Sequence, residues 1–304
     1  MTIADLAAHF PALDSQTPVL IAGPTACGKS RLALQIAKTF GGVVINADAI
    51  QVYGALQILT ARPSMEDERQ VQHLLYGHIT FDHAYSVGQW LREVTPLLHG
   101  GERPIIIGGT GLYFQALTQG LAEIPQISPQ IIARSEQVLA NAGHTALITE
   151  LDAATAARID LHNPMRVQRA WQVLHSTGRG LADWQDATPP PMLRVADSIP
   201  IVFNVARDWL NQRIATRFES MIAEGALDEM RALLPVWSPE LPCAKAIGAR
   251  QLVAYLNGET SLETAQYEAT IATQQFAKRQ RTWFRSKMAG WHSYAPSEDA
   301  HPMP

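Results

Sequence analysis

Cysteine is scarce in this 304-residue chain: there are two, Cys27 and Cys243, and the first lies inside a glycine-rich loop. A disulfide framework is therefore not expected, and a reducing, cytoplasmic setting is. Long apolar runs are missing too. No stretch approaches the roughly 18 apolar residues that a membrane-crossing helix needs, so no membrane association is expected. The opening residues "MTIADLAAHFPAL" have neither a cationic start nor a long apolar centre, which argues against a secretory leader. Low-complexity tracts and repeats of fixed period are absent. Charged residues make up only 17% of the chain, with a net charge of −4, a balance that on average disfavours a nucleic-acid partner. The average conceals one segment: "FAKRQRTWFRSK", 276–287, holds five basic residues and no acidic one.

What is present is apolar material, 47% of the chain, enough for a sizeable core. "TPVLIAG" (17–23), "GGVVINAD" (41–48) and "ERPIIIGGTGLYFQAL" (102–117) each read as a buried strand flanked by glycines. "KSRLALQIAKTF" (29–40) has helical spacing at Leu32, Leu34, Ile36 and Phe40. Strand, glycine turn and helix in succession predict a parallel α/β sheet flanked by helices. From Pro125 strands give way to helical patterns at 128–143, 145–160 and 163–178. The last begins with Asn163 as cap and Pro164 in its first turn, and stops at Gly178. After the proline linker "ATPPPML" (187–193), strand character returns at "SIPIVFNVA" (198–206) and helices follow. Three segments are expected: the first part of an α/β core at 1–124, a helical insertion at 125–193, and core completion with closing helices at 194–304.

"GPTACGKS", Gly23, Pro24, Thr25, Ala26, Cys27, Gly28, Lys29 and Ser30, fits G-x-x-x-x-G-K-[ST] between a strand and a helix. In such a P-loop, amides of the loop and helix N-terminus surround phosphate oxygens, the lysine adds a point charge, and the serine can ligate Mg²⁺. The motif admits ATP as readily as any other phosphate ester. Asp48 ends an apolar strand, where it could hold a magnesium ion through water or act as a general base at the carboxyl edge of the sheet. Thr110 stands among Gly108, Gly109 and Gly111 at another strand end. Arg213 and Arg217 lie one helical turn apart in "RIATRF", a spacing suited to a diphosphate. His73, His78 and His83 lack helical ligand spacing, and zinc is not expected there.

Taken together, these stretches resemble the tRNA dimethylallyltransferases, also called tRNA isopentenyltransferases. The resemblance runs in order through "GPTACGKS", "NADAIQVYGALQILTARPS" (46–64), "YSVGQW" (85–90), "GGTGLYFQAL" (108–117), "NPMRVQRAWQVL" (163–174), "RIATRF", "AKAIGARQL" (244–252) and "AKRQRTWF" (277–284). The glycine loop is common to many folds; the D-x-x-Q-x-Y, GGTGLY and KRQ-x-TW stretches are far more particular. With two cysteines there is no counterpart of the zinc finger found in eukaryotic relatives, so the resemblance is to the bacterial type.

The resemblance implies a P-loop NTPase-like fold and prenyl transfer from dimethylallyl diphosphate to N6 of adenosine 37 in tRNA. It implies Asp48 as the acceptor of the N6 proton, Thr110 as a residue holding the reacting groups, and Arg217 as a stabiliser of departing diphosphate. Residues 23–30 and Arg213 would bind the diphosphate, with Mg²⁺ on Ser30. Contacts to the anticodon stem-loop would come from Asp48, Ala49, Ile50 and Gln51; from Met165, Arg166, Val167, Gln168 and Arg169; from Lys245 and Arg250; and from Lys278, Arg279, Gln280, Arg281 and Arg285. A monomer is expected. Ala49, Ala249, Arg62 and Ile132 depart from the commoner family pattern, which bears on local tRNA contacts. Three rival readings remain: a P-loop kinase or NTPase, an adenylate isopentenyltransferase acting on free nucleotide, and a non-catalytic RNA-binding module.

Overall fold

The apolar runs become strands because branched side chains suit a pleated surface covered on both faces. The structure, a computed structural model, describes Leu13 and residues 16–296; the opening residues discussed above, Leu13 apart, lie outside them. Strand β1 is Val19–Ala22, β2 Val43–Asn46, β3 His73–Leu74, β4 Pro104–Gly108, β5 Ile199–Phe203 and β6 His292–Tyr294. They form one sheet in the order β3-β2-β4-β1-β5-β6. Every pairing is parallel, with Val19 opposite both Ile105 and Ile199, and Val43 opposite Pro104. The mixed α/β class with a parallel sheet agrees with the sequence. The two edge strands β3 and β6 were not legible there, being two and three residues long.

Alternation along each strand sorts the core into two layers. Val19, Ile21, Ile105, Ile107, Ile199 and Ile201 face one side, where they meet Leu32, Ala33 and Ile36 of α1 (Lys29–Phe40). The same layer takes Leu210 and Ile214 from α2 (Arg207–Ala223). Leu20, Ala22, Ile45 and Ile106 face the other side. There they pack with Trp90 and Val94 of α3 (Val87–Leu97) and with Tyr113, Phe114 and Leu117 of α4 (Gly111–Gln119). Helix α3 is started by a capping box between Ser86 and Gln89, which satisfies two of its end amides reciprocally.

A third cluster is helical. Val52, Tyr53, Leu56 and Leu59 pack with Met230 of α5 (Ala226–Leu233), with Leu252 and Val253 of α6 (Ala249–Leu256), and with Ala269 of α7 (Leu262–Lys287). The Glu229 carboxylate accepts hydrogen bonds from the amides of Gln57, Ile58 and Leu59 at 2.8, 2.7 and 3.1 Å, fixing the turn beneath that cluster. The 26-residue helix α7 joins all three clusters, giving Ala269 to the third, Ala277 to the first and Phe284 to the second.

The chain divides into two compact units, Met1–Thr118 with Leu193–Pro304, and Gln119–Met192. The second unit holds α8 (Pro129–Ile148), α9 (Ala153–Arg158), α10 (Pro164–Thr177) and α11 (Leu181–Asp186). It therefore begins a few residues ahead of the change in character at Pro125. The helix expected over 145–160 is split. Its first residues continue α8 beyond a non-helical Gly143 (φ 72°), while Asp152 caps α9 by accepting from the Thr155 amide at 2.7 Å. Helix α10 starts and stops on its predicted signals, Asn163 capping the Arg166 amide and Gly178 at φ 68°. The unit's core is small, with Leu147, Val167 and Trp171 buried. Among the described residues no helix is long and apolar enough to cross a membrane.

Candidate active site

Strand β1 has β4 on one side and β5 on the other, and the chain leaves it through α1 toward β2. Its carboxyl end is therefore a switch point of the sheet, where parallel folds open a crevice. The glycine loop occupies that point. A Cβ on Gly23 would come to 2.8 Å from both Cys27 Sγ and Phe203 Cβ, so the close approach to β5 requires glycine. Gly28, at φ 94°, turns the chain into α1, and no side chain caps that helix. The orphan amides of its first turn and the positive end of its dipole are thus available to an anion. Ser30 is exposed there, and the Lys29 ammonium lies across the loop, 3.4 Å from the Pro24 carbonyl.

Two arginines of α2 approach the same loop. Arg213 donates through Nε to the Ala26 carbonyl at 2.9 Å and lies over the Trp209 ring. Arg217 is half-buried. Burial lowers its guanidinium pKa; Cys27 opposes that shift, Arg213 adds to it, and Asp48 opposes it again. Arg217 thus senses both the glycine loop and the aspartate. Burial pushes the Cys27 thiol up against the pull of Lys29, Arg217 and Arg213, which keeps it protonated and unsuited to act as a nucleophile.

Asp48 sits just past β2, held by its neighbours. Its amide donates to Asn46 Oδ1 at 2.8 Å, its carbonyl accepts from Asn46 Nδ2 at 2.9 Å, and its Oδ1 accepts from the Ile50 amide at 3.1 Å. Oδ2 is left for other work. Thr110 is tied to the same loop in both directions, its amide donating to the Ala47 carbonyl and its Oγ1 accepting from the Ala49 amide at 2.9 Å. Beneath them Trp90 donates to the Asn46 carbonyl at 2.6 Å and stacks on Tyr113, ring centroids 4.6 Å apart. Burial first, and the Asp48 charge second, hold the Tyr113 hydroxyl well above the usual phenol range.

One side chain joins the two loops. Gln280 of α7, 5% exposed, accepts from the Thr25 amide at 2.9 Å and donates to the Gly109 carbonyl at 2.9 Å. A sequence expectation is corrected here: Gln280 was grouped with the RNA contacts, yet its amide is occupied inside the protein. The neighbours Lys278, Arg279 and Arg285 are exposed on the same helix, and Arg281 is half-buried. Lys245 and Arg250 are exposed as well, the latter donating to the Pro239 carbonyl. Ala49 and Ile50 are half-buried, and the Gln51 amide is engaged by the carbonyls of Thr60 and Ala61 at 2.9 and 2.7 Å.

In the second unit Met165 is 70% exposed and Arg166 and Arg169 are exposed. Val167 and Gln168 are not. Val167 belongs to the unit's core, and Gln168 donates to the buried Ser135 hydroxyl at 3.0 Å. Helical periodicity accounts for this second correction, since five consecutive residues cannot share one face. Sequence reasoning missed Asn46, Trp90 and Tyr113. The position of Asn46 as the first polar residue after an apolar strand was a usable signal. Nothing local marked the internal role of Gln280, whose partners lie 255 and 171 positions away.

The profile of the IPP transferase family matches residues 51–287, and that of the isopentenyl transferases residues 17–77. A tRNA dimethylallyltransferase of Cereibacter sphaeroides is 55% identical over 284 residues, covering 93% of this chain and 90% of that protein. The crystal structure of a tRNA isopentenylpyrophosphate transferase from Bacillus halodurans superimposes with a TM-score of 0.65 at 30% identity, covering 92% of this chain and 90% of its own. A eukaryotic dimethylallyltransferase acting on tRNA shares the fold, with a TM-score of 0.79 at 23% identity, covering 92% of this chain and 74% of its own.

Proposed function

The chain belongs to the IPP transferase family and transfers a dimethylallyl group to tRNA; we propose that the donor is dimethylallyl diphosphate and the acceptor the N6 amine of adenosine 37, beside the anticodon. The observation that carries this reading is the meeting of two loops at one sheet edge. One is built for phosphate and the other presents a carboxylate, with Gln280 hydrogen-bonded to both loops.

In the reaction the adenine nitrogen attacks the allylic carbon, forming an N–C bond as the C–O bond to diphosphate breaks. The diphosphate leaves with the bonding electron pair, and the N6 proton passes to Asp48 Oδ2. An aromatic amine is a feeble nucleophile, so most of the barrier must be lowered at the leaving group. The α1 amides, Lys29 and Arg217 do this by meeting charge that develops on the diphosphate. Arg213 braces the loop from its Ala26 carbonyl. Thr110 keeps the aspartate loop against the end of β4.

Ser30 offers one exposed hydroxyl, and among the described residues no cluster of three His, Cys, Asp or Glu could hold a metal by itself. That donor set fits Mg²⁺, which retains waters and takes much of its shell from phosphate oxygens. Bound there, the ion would neutralise charge on the diphosphate. Adenosine 37 must leave its stack to reach Asp48. Exposed Lys245, Arg250, Lys278, Arg279 and Arg285, and Arg166 and Arg169 of the second unit, supply phosphate contacts that position the RNA. One chain provides every group named, so the proposed reaction needs no residue from a second subunit.

The test is incubation of the purified chain with undermodified tRNA, dimethylallyl diphosphate and Mg²⁺, followed by nuclease digestion and mass spectrometry. One five-carbon unit on the adenosine beside the anticodon is expected, together with released pyrophosphate. Prenylated AMP or ADP with untouched tRNA, or ATP hydrolysis without prenyl transfer, would overturn it.

A further inference from the structure

Gln280 is a buried polar side chain for which the reaction as described has no chemical use, yet both ends of its amide are occupied. Its oxygen meets the Thr25 amide of the diphosphate loop, and its nitrogen meets the carbonyl of Gly109, next to Thr110. A Cβ on Gly109 would strike Gln280 Nε2 and also come to 3.1 Å from Asp48 Oδ2, so the amide and the carboxylate border the same point. One turn further on, Trp283 lies so close to Gly111 that a Cβ there would collide with its ring. Helix α7 is thus pressed against the whole Gly109–Gly111 segment, and its flanks are anchored in core by Ala277 and Phe284.

We propose that Gln280 is a positioning residue for the transfer, a strut that sets the separation between the diphosphate loop and the loop carrying Asp48 and Thr110. The inference rests on the prenyl-transfer reading. The leaving group is held by one loop and the base stands on the other, so their spacing fixes whether both act on the same substrate pair. Hydrogen bonds in the sheet hold β1 to β4 as far as Gly23 N–H on the Gly108 carbonyl at 3.3 Å, and beyond that point Gln280 bridges the two loops. The pairing calls for an acceptor facing Thr25 N–H and a donor facing the Gly109 carbonyl on one rigid head. The Gln amide provides both at a fixed separation, and an apolar side chain of similar size provides neither.

The test compares wild type with Gln280→Leu and Gln280→Glu in steady-state prenylation of tRNA, alongside binding of inorganic pyrophosphate. Gln280→Leu should lower kcat on the order of a hundred-fold, the loss that a misplacement of about 1 Å produces. Both KM values and the Kd for inorganic pyrophosphate should stay within about threefold of wild type, because each loop keeps its own groups. Gln280→Glu is the sharper probe. Protonated, the new carboxyl can accept from Thr25 and donate to Gly109; ionised, it can do only the first, and it stands beside Asp48. The ratio of its kcat to that of wild type should therefore fall as pH rises, while the ratio for Gln280→Leu stays level.

Two results would overturn the strut: kcat within about threefold of wild type in both variants, or a loss in kcat matched by an equal loss of pyrophosphate affinity with no pH dependence in the Glu variant. If the Leu variant fails to fold, the pH dependence of the Glu variant decides alone. A wild-type chain that makes no prenylated tRNA would refute the underlying reaction, and this inference with it; failure of the strut alone is read against an active wild type.

Discussion

At the carboxyl edge of the sheet, Asn46, Thr110 and Gln280 direct their side chains at backbone groups, whereas Met165, Arg166 and Arg169 leave theirs exposed on α10. The first arrangement ties each side chain to a defined backbone partner, which suits the close positioning that bond making and breaking requires. The second leaves long side chains free to find phosphates, which suits a flexible polyanion and gives little to stability. The cores differ in the same sense. The sheet unit packs three apolar clusters, while the helical unit has one, in which Leu147, Val167 and Trp171 are the buried members. Side-chain to backbone hydrogen bonds are concentrated where chemistry is proposed.

Breaking the comparison at its strongest point means removing the proposed base. Asp48→Asn keeps the acceptor for the Ile50 amide but loses the proton acceptor, so kcat should fall on the order of a thousand-fold with tRNA affinity intact, read by single-turnover prenylation and filter binding. In the helical unit the largest effect should come from Trp171→Ala. Trp171 is fully buried, donates to Glu150 at 3.1 Å and stacks on His175, so the change should cost about 3–5 kcal/mol. Hydrogen exchange should then rise across α8–α10 while the amides of β1 and β4 stay protected, which tests whether the units unfold separately.

Smaller effects sharpen the contrast between anchored and exposed cations. Lys278→Ala or Arg279→Ala should weaken tRNA binding by a similar factor across tRNA species and lower the slope of log Kd against log salt by about one, leaving kcat at saturation unchanged. Arg217→Ala, by contrast, should lower kcat with little change in salt slope.

The smallest expected effect is alkaline. Tyr113 is held protonated by burial and by Asp48, so its folded pKa lies above the ordinary value of 10.0. Its stabilising contribution is complete below that ordinary value and is lost as pH rises through the folded pKa, since only the unfolded chain releases the proton early. The melting temperature should begin to fall above about pH 10, and more shallowly in Tyr113→Phe.

Most of the sheet could be read in advance because strands buried on both faces announce themselves as apolar runs ended by glycine. β3 and β6 could not, since a strand of two or three residues at an edge carries no period. The candidate positions Asp48, Thr110 and Arg217 could be singled out as types placed at strand ends and helix faces, their proposed roles coming from the family resemblance. What escaped was their support. Asn46 binds two positions along and left a local trace, but the partners of Gln280 are set by the path of a long helix through the whole unit. Treating 165–169 and 278–281 as continuous surfaces ignored helical rotation, which turns Val167, Gln168 and Gln280 inward.

The long helix α7 also imposes an order in time. The glycine loop, Asp48 and Thr110 are all synthesised within the first 110 residues, whereas the side chain that ties them arrives at position 280. A nascent chain therefore carries the parts of its site long before it carries the spacing between them. If Gln280 is the strut proposed above, the two loops lack their tie until that part of α7 has been made and packed.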